Sequence, residues 1–383
     1  MTGRKNLTFF EATAIITGYG VGGGIMTVPF LTAKCGIIPL FILLAVGYLI
    51  SALMHLMVAE VLLRDGGDGQ MVELFQKYLL KSKPAVLTWL VFILIVLAFM
   101  ASLSAYIAGG GQILSQLLPI PLLAGQLIFY VIAAGVILFG LKALGVSEKI
   151  AVTGIILIVI SFIWGSSRVP FALNLETRGN FQTYLALFGM IMFSFFAIFS
   201  VPQVSSGLSW NKKLIPRAIL TGIGINAVII IAIVIMTLGV SDSVEKIAII
   251  SLGRSLGSWA HITGSVFILV AMLTSYWSVS FALSTVVEER LHTGTRISWL
   301  LATIPGLLIV VLTTADFLDF ISLAGGAIAL LVALMIVPLY NSARKNGSAI
   351  QPEWSLGRMG KPFFQLVVVL GFLAMAAGSV IPG

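Results

Sequence analysis

Apolar runs of about twenty residues recur along almost the whole chain, separated by short polar gaps. They lie near 9–33, 38–63, 85–116, 122–141, 149–166, 183–208, 216–239, 257–288, 296–314, 317–340 and 362–381. A helix needs about 20 such residues to cross a bilayer, whereas transmembrane strands are shorter and alternate apolar with polar positions. The pattern therefore predicts an all-α membrane protein with eleven transmembrane helices. The longest gaps, 64–84, 167–182, 240–256 and 341–361, have room for short interfacial helices but not for a soluble domain.

The gaps also carry direction. If the N-terminus is cytoplasmic, Lys34, Arg168, Arg178, Lys246 and Arg254 fall outside, and the other 17 of the 22 Lys and Arg, Arg4, Lys5 and Lys83 among them, fall inside. Positive charge concentrates on the cytoplasmic side of membrane proteins, so the expected topology is N-terminus in and C-terminus out. The net charge of +8 sits in these gaps, which argues for orientation and against a nucleic-acid partner. With 59% hydrophobic and 9% charged residues among 383, a soluble protein is excluded. The single cysteine, Cys35, excludes an internal disulfide framework. The segment MTGRKNLTFFEA runs directly into the first span, so no cleavable signal is expected. The short loops suggest a prokaryotic cytoplasmic membrane; nothing in the sequence sets an oligomeric state.

Two spans break their own pattern. The first contains GYGVGGGIMTVPF (18–30), with glycines at 18, 20, 22, 23 and 24 and a proline at 29. Each glycine costs a helix about 1 kcal/mol relative to alanine. The sixth, FGMIMFSFFAIFSVPQVSSGL (188–208), holds Pro202 among Ser194, Ser200, Ser205 and Ser206. Its FSVPQV (199–204) parallels MTVPFL (26–31) of the first span, five spans earlier. Because five is odd, the second copy enters from the opposite side, the mark of an inverted repeat. The repeats run over about 9–166 and 183–340, with the helix at 362–381 appended, as one transporter domain. Gly20 and Gly24 also fit the GxxxG spacing that only brings helices close, but the matched second break favours a binding site. Freed backbone at membrane depth survives only where protein buries it or it lines a cavity. Freed amides at a half-helix N-terminus suit a carboxylate, and freed carbonyls suit an ammonium or a cation.

With these breaks, LMVAEVLLR (56–64), AYIAGGGQIL (105–114) and FSFFAIFSVPQV (193–204), the chain resembles the amino acid/auxin permease family of the amino acid–polyamine–organocation superfamily. Within it, the bacterial hydroxy and aromatic amino acid permeases are most similar. The resemblance implies a LeuT-like fold, with helices 1, 2, 6 and 7 rocking against 3, 4, 8 and 9, and secondary active transport of a neutral amino acid, with aromatic and other apolar ones as the candidates. One departure stands out. Where the aromatic permeases carry Gly-Phe-His-Gly before Ser-Val-Pro, this chain has Phe196, Ala197, Ile198 and Phe199, which puts the family's substrate preference in question.

Site expectations follow. The substrate carboxylate is assigned to the amides of Gly22, Gly23 and Gly24, and the ammonium to carbonyls at Tyr19 or Gly20 and near Ser194 to Phe196. Phe195, Phe196, Phe199 and Tyr106 are pocket candidates; simple packing is the competing reading for each. In LTSYWSVSF (273–281), Thr274, Ser275, Ser278 and Ser280 stand where LeuT-like sodium carriers place cation-binding hydroxyls, although such hydroxyls also bond within their own helix. Where sodium-coupled relatives have an asparagine, this chain has Gly18, as proton-coupled aromatic permeases do. H⁺ is therefore favoured over Na⁺ as the coupling ion, with no other cofactor.

Ionisable groups inside spans are candidates for coupling. His55 titrates near neutrality. Lys149 reaches the place of a missing sodium or snorkels to the surface. Glu11 lies near the inner end of the first span, and Glu60 is spaced to pair with Arg64. Asp316 and Asp319 fall in an outer loop and are expected to be solvated. GGDGQ (66–70) lacks the Lys-Ser/Thr ending of a nucleotide loop, and no metal spacing or catalytic triad is present, so no nucleotide, metal or enzyme activity is expected. The competing readings are a Na⁺-coupled symporter, a carrier of another small solute on the same fold, and a transport-dead receptor.

Overall fold

The computed structural model describes residues 6–67, 69–81, 84–173, 175–241, 243–246, 248–313, 317–346 and 352–381. Arg4, Lys5, Lys83, Asp316 and the side chain of Asp319 lie outside these. The described residues form helices joined by short connections: α1 Phe9–Gly20, α2 Gly23–Cys35, α3 Ile37–Asp65, α4 Met71–Tyr78, α5 Ala85–Leu117, α6 Leu122–Ile137, α7 Gly140–Ser166, α8 Phe181–Ser194, α9 Val201–Gly207, α10 Ile215–Val240, α11 Ala248–Leu256, α12 Ser258–Leu291, α13 Thr295–Leu312, α14 Phe317–Asn346 and α15 Pro362–Val380.

Local chemistry sets several of these boundaries. Thr8 and Glu11 make a reciprocal capping box at the start of α1. Asn180 and Thr183 do the same for α8. At Gly36, between α2 and α3, the backbone has φ +96, and a side chain there would overlap the carbonyl of Glu176. Only glycine suits both demands.

Among the described residues, nine helices are long and apolar enough to cross a membrane, and the bent pair Phe9–Gly20 and Gly24–Cys35 makes a tenth. The expected span at 122–141 differs. Its helix, α6, has 16 residues, about 24 Å at 1.5 Å per residue, against a hydrocarbon core of about 30 Å. A tight turn with φ +81 at Gly140 ends the element early and starts α7. Eleven full-length spans are thus not reached by length and composition. Two of the long gaps do hold short helices, α4 and α11, each with one apolar face buried.

At the centre, α1 packs against α7, α10 and α12, and α8 packs against α2, α3 and α15. Apolar side chains such as Ile42, Leu49, Leu157, Leu308 and Leu370 face outward, as a lipid-embedded surface requires.

Basic side chains gather at one end of the bundle. Lys142 meets Glu11 at 2.6 Å, Lys77 meets Asp65 at 2.5 Å, and Arg290 bonds Gln76 at 2.7 Å. Glu60 is the most engaged carboxylate there. Buried on α3, it pairs with Arg64 at 2.8 Å and approaches Arg344 at 3.8 Å. It also accepts from the Tyr340 hydroxyl and the Leu356 amide, both at 2.9 Å. It therefore ties α3 to α14 and to the chain that follows α14. Removing one partner of a buried ion pair costs about 3–5 kcal/mol. Glu60→Ala should lower the thermal unfolding midpoint in detergent clearly, and Glu60→Gln, which keeps acceptor capacity, should lower it less.

Candidate functional site

The glycine cluster ends α1 at Gly20 and lets the chain restart as α2, bent by 54°. The Gly22 amide does not point free: it donates to the Gly20 carbonyl at 2.8 Å. Gly23 and Gly24 form the first turn of α2, where helix amides lack partners within the helix. The glycines also permit close contact. A Cβ at Gly20 would overlap Asn226 Nδ2 and lie 2.5 Å from the Ser194 carbonyl oxygen, and one at Gly24 would lie 2.5 Å from Ser194 Oγ. The two breaks thus meet at Gly20, Gly24 and Ser194.

The second break runs from the end of α8 at Ser194, through Phe195–Ala197 and one 3-10 turn at Ile198–Ser200, into α9. Its loose backbone groups are taken up by α3. The Ala197 amide donates to His55 Nε2 at 2.9 Å. With Nε2 accepting, the ring proton lies on Nδ1, which donates to the Ser51 carbonyl at 2.7 Å. Ser51 Oγ in turn donates to the Phe195 carbonyl at 3.0 Å. The histidine absent from the Phe196–Phe199 run is thus matched by one that reaches the break from another helix.

Between the breaks lies a cavity of about 10 Å³, lined by Tyr19, Gly20, Gly22, Ser102, Tyr106, Phe193, Phe196, Val279 and Ile328. That is room for about one water, so an amino acid enters only if rings turn or helices part. The Tyr19 and Phe196 rings meet edge to face at 6.1 Å, and Phe196 also meets Phe199 at 6.0 Å.

Of the expected pocket residues, Tyr19, Gly20, Gly22, Tyr106 and Phe196 line this cavity, and Ser194 stands behind Gly20 and Gly24. Phe195 turns away to pack on Tyr48 at 6.1 Å, and Phe199 packs on Phe99 at 4.5 Å. Successive residues around the break point to different sides, so their neighbour Phe196 alone of the three faces the cavity. Ser102, Phe193, Val279 and Ile328 were not singled out from sequence. Phe193 sits inside the quoted FSFFAIFSVPQV stretch, which was the available signal.

The ion-coupling candidates divide. Ser275 Oγ lies 3.3 Å from the carbonyls of both Gly18 and Tyr19, to which it can donate, whereas Thr274 bonds its own helix at Ala271. Ser278 Oγ donates at 2.7 Å to Oε1 of Glu148. Lys149 is not at the break: its half-exposed side chain sits 3.8 Å from Glu11 at the basic end. Its neighbour Glu148, completely buried, faces α1 instead. Adjacent residues on a helix differ by about 100°, and that rotation separates a surface lysine from a core carboxylate. The buried series Leu141, Leu144, Gly145, Glu148, Val152 and Ile155 was the sequence signal. Among the described residues, no group of three or more His, Cys, Asp or Glu side chains could hold a metal ion.

Taken together, the fold and the paired breaks define a polytopic, LeuT-like membrane protein built around a small central cavity. Residues 5–377 match the tryptophan/tyrosine permease family, and the chain belongs to that family, a group of amino acid transporters. It is 25% identical over 390 residues to the tyrosine-specific transport system 1 of Haemophilus influenzae, covering 94% of each chain. Among solved structures it is similar to MhsT in complex with L-phenylalanine, with TM-score 0.67, 17% identity, and 98% of this chain and 99% of that one covered. It is also similar to the nucleobase-cation-symport-1 family transporter Mhp1 in a closed conformation with bromovinylhydantoin bound, with TM-score 0.65, 12% identity, and 98% and 92% covered.

An unsatisfied buried amide costs about 1–3 kcal/mol. His55→Ala should therefore destabilise the protein by about that amount, and His55→Gln, which restores an acceptor, should recover part of it. Thermal unfolding of the three purified proteins checks this.

Proposed function

We propose that this protein is a secondary active transporter of neutral amino acids, aromatic ones first among them, working by alternating access. The observation that carries the reading is the pair of helix breaks meeting at Gly20, Gly24 and Ser194 beside a cavity walled by Tyr19, Tyr106, Phe193 and Phe196. The relative named a tyrosine-specific transport system supports the aromatic preference. A substrate carboxylate is best received by the first-turn amides of α2 at Gly23 and Gly24, where the helix dipole also favours an anion. The ammonium is best received by carbonyls near the ends of α1 and α8. Aromatic walls suit an aromatic side chain through edge and face contacts, with Ser102 as a polar group for its tip.

In this reading residues 9–166 and 183–340 are inverted repeats, the basic end of the bundle faces the cytoplasm, and the coupling ion is H⁺ rather than Na⁺. Ser275, beside two α1 carbonyls, favours Na⁺ as the second reading, since a hard cation takes oxygen ligands.

Purified protein in liposomes should accumulate labelled tyrosine, tryptophan or phenylalanine when an inward H⁺ gradient is imposed. Phe196→Ala should shift the preference between tryptophan and tyrosine toward the larger ring, by about tenfold. Absence of flux for every neutral amino acid under either an H⁺ or a Na⁺ gradient, with folded protein, would overturn the transport assignment. An unchanged preference in Phe196→Ala would remove that ring from the site.

A further inference from the structure

Among the described residues, Glu148 is a completely buried carboxyl group with no basic partner, unlike the buried Glu11 and Glu60. It is the ninth residue of the 27-residue membrane-spanning helix α7 and is completely buried. Oε1 accepts one bond, from Ser278 at 2.7 Å, and Oε2 has no hydrogen-bond partner among the described residues. Among the described residues no basic side chain forms an ion pair with it. Oε2 presses on the first broken helix: a Cβ at Gly18 would overlap it and would lie 3.0 Å from Thr274 Cβ.

The helices packed on α7 are α1, α6, α9, α10 and α12. Their titratable or charged groups are Glu11 and Tyr19 on α1, Tyr130 on α6, Arg217 on α10, and His261, Tyr276, Glu288, Glu289 and Arg290 on α12; α9 has none. Glu11 is held by Lys142 and Lys149 at the basic end. None of these groups offers Glu148 a counter-charge in this packing.

A bare carboxylate so completely buried, with one hydrogen bond from Ser278 and no ion pair among the described residues, is strongly disfavoured. A neutral carboxyl needs no counter-ion. The tight seat against Gly18 also leaves no space between Oε2 and α1 for a sodium ion, whose oxygen ligands must stand off at over 2 Å on every side.

We propose that Glu148 is the site that takes up and releases the coupling proton of this transporter. This rests on the transport reading above. With α1 closed on α7 and α12, only the protonated carboxyl fits. When α1 moves away and water enters, the proton leaves Glu148 for solvent, and the resulting carboxylate keeps its bond from Ser278. Closure with substrate then requires a proton from the side that is open. The link to the substrate cavity is short. Ser275, one turn before Ser278 on α12, sits by the carbonyls of Gly18 and Tyr19, and the α1 backbone continues into the cavity wall at Tyr19, Gly20 and Gly22.

The test compares wild type, Glu148→Gln and Lys149→Gln in proteoliposomes, measuring accumulation driven by an H⁺ gradient and exchange of internal for external labelled tyrosine without a gradient. Glu148→Gln should lose H⁺-driven accumulation at least about tenfold while keeping exchange, and Lys149→Gln should keep both. Retained H⁺-driven accumulation in Glu148→Gln overturns the proposal. So does wild-type accumulation that only Na⁺ drives, which leaves amino acid transport standing. Absence of any amino acid flux in wild type is the separate failure of the transport reading, and removes this proposal with it. Should Glu148→Gln not fold, Ser278→Ala keeps the carboxyl and removes the hydrogen bond that Ser278 donates to it. The midpoint of the pH profile of uptake should then move by about one unit, and an unmoved midpoint overturns the assignment.

Discussion

Inside a bilayer every backbone amide and carbonyl must find its partner within the protein, and this chain interrupts two of its central helices. That constraint organises the rest of the core. At the first break glycine solves it locally, with the Gly22 amide folded back onto the Gly20 carbonyl and Ser275 approaching the carbonyls of Gly18 and Tyr19. At the second break the solution is long-range: Ser51 and His55, one turn apart on α3, take the Phe195 carbonyl and the Ala197 amide. Two helices that would each be unstable alone are thereby held open by side chains from α3 and α12.

The same economy of space explains the glycines better than flexibility does. Gly18, Gly20 and Gly24 each lie where a single methyl group would strike Glu148, Asn226 or Ser194. The first broken helix is clamped on three sides by polar atoms of other helices, so a small displacement of it disturbs several hydrogen bonds together. Close-packed interiors respond to such displacements in discrete steps rather than gradually, which is the property a transporter with alternating access needs.

The sequence made legible what depends on local backbone propensity and on the charge of short gaps. The broken helices, the Val-Pro repeat at 28–29 and 201–202, and the gathering of Lys and Arg at one end all follow from such terms. What it left hidden depends on helix rotation and distant pairing. Phe195, Phe196 and Phe199 look equivalent in a chain with 24 phenylalanines, and only the turn of the break sends Phe196 alone to the cavity. His55 reads as an isolated ionisable group until Ala197, 142 residues later, is placed beside it. Glu148 and Lys149 differ by one step around α7, and the more conspicuous basic residue proved to be the surface one. The shortness of α6 turned on a positive φ at Gly140 inside an otherwise unbroken apolar stretch.

These placements change which ionisable group is suited to coupling. His55 is occupied on both ring nitrogens, and adding a proton at Nε2 would set it against the Ala197 amide, donor against donor. Its charge state is therefore tied to keeping the second break intact. Glu148 has the opposite character: one oxygen has no partner among the described residues, and the packing around it distinguishes a neutral from a charged carboxyl by burial. A group whose proton is required by closure, rather than by a hydrogen bond that must persist through the cycle, can gain and lose that proton as the helices move. The buried carboxyl against Gly18 meets that condition, and the imidazole at the second break does not.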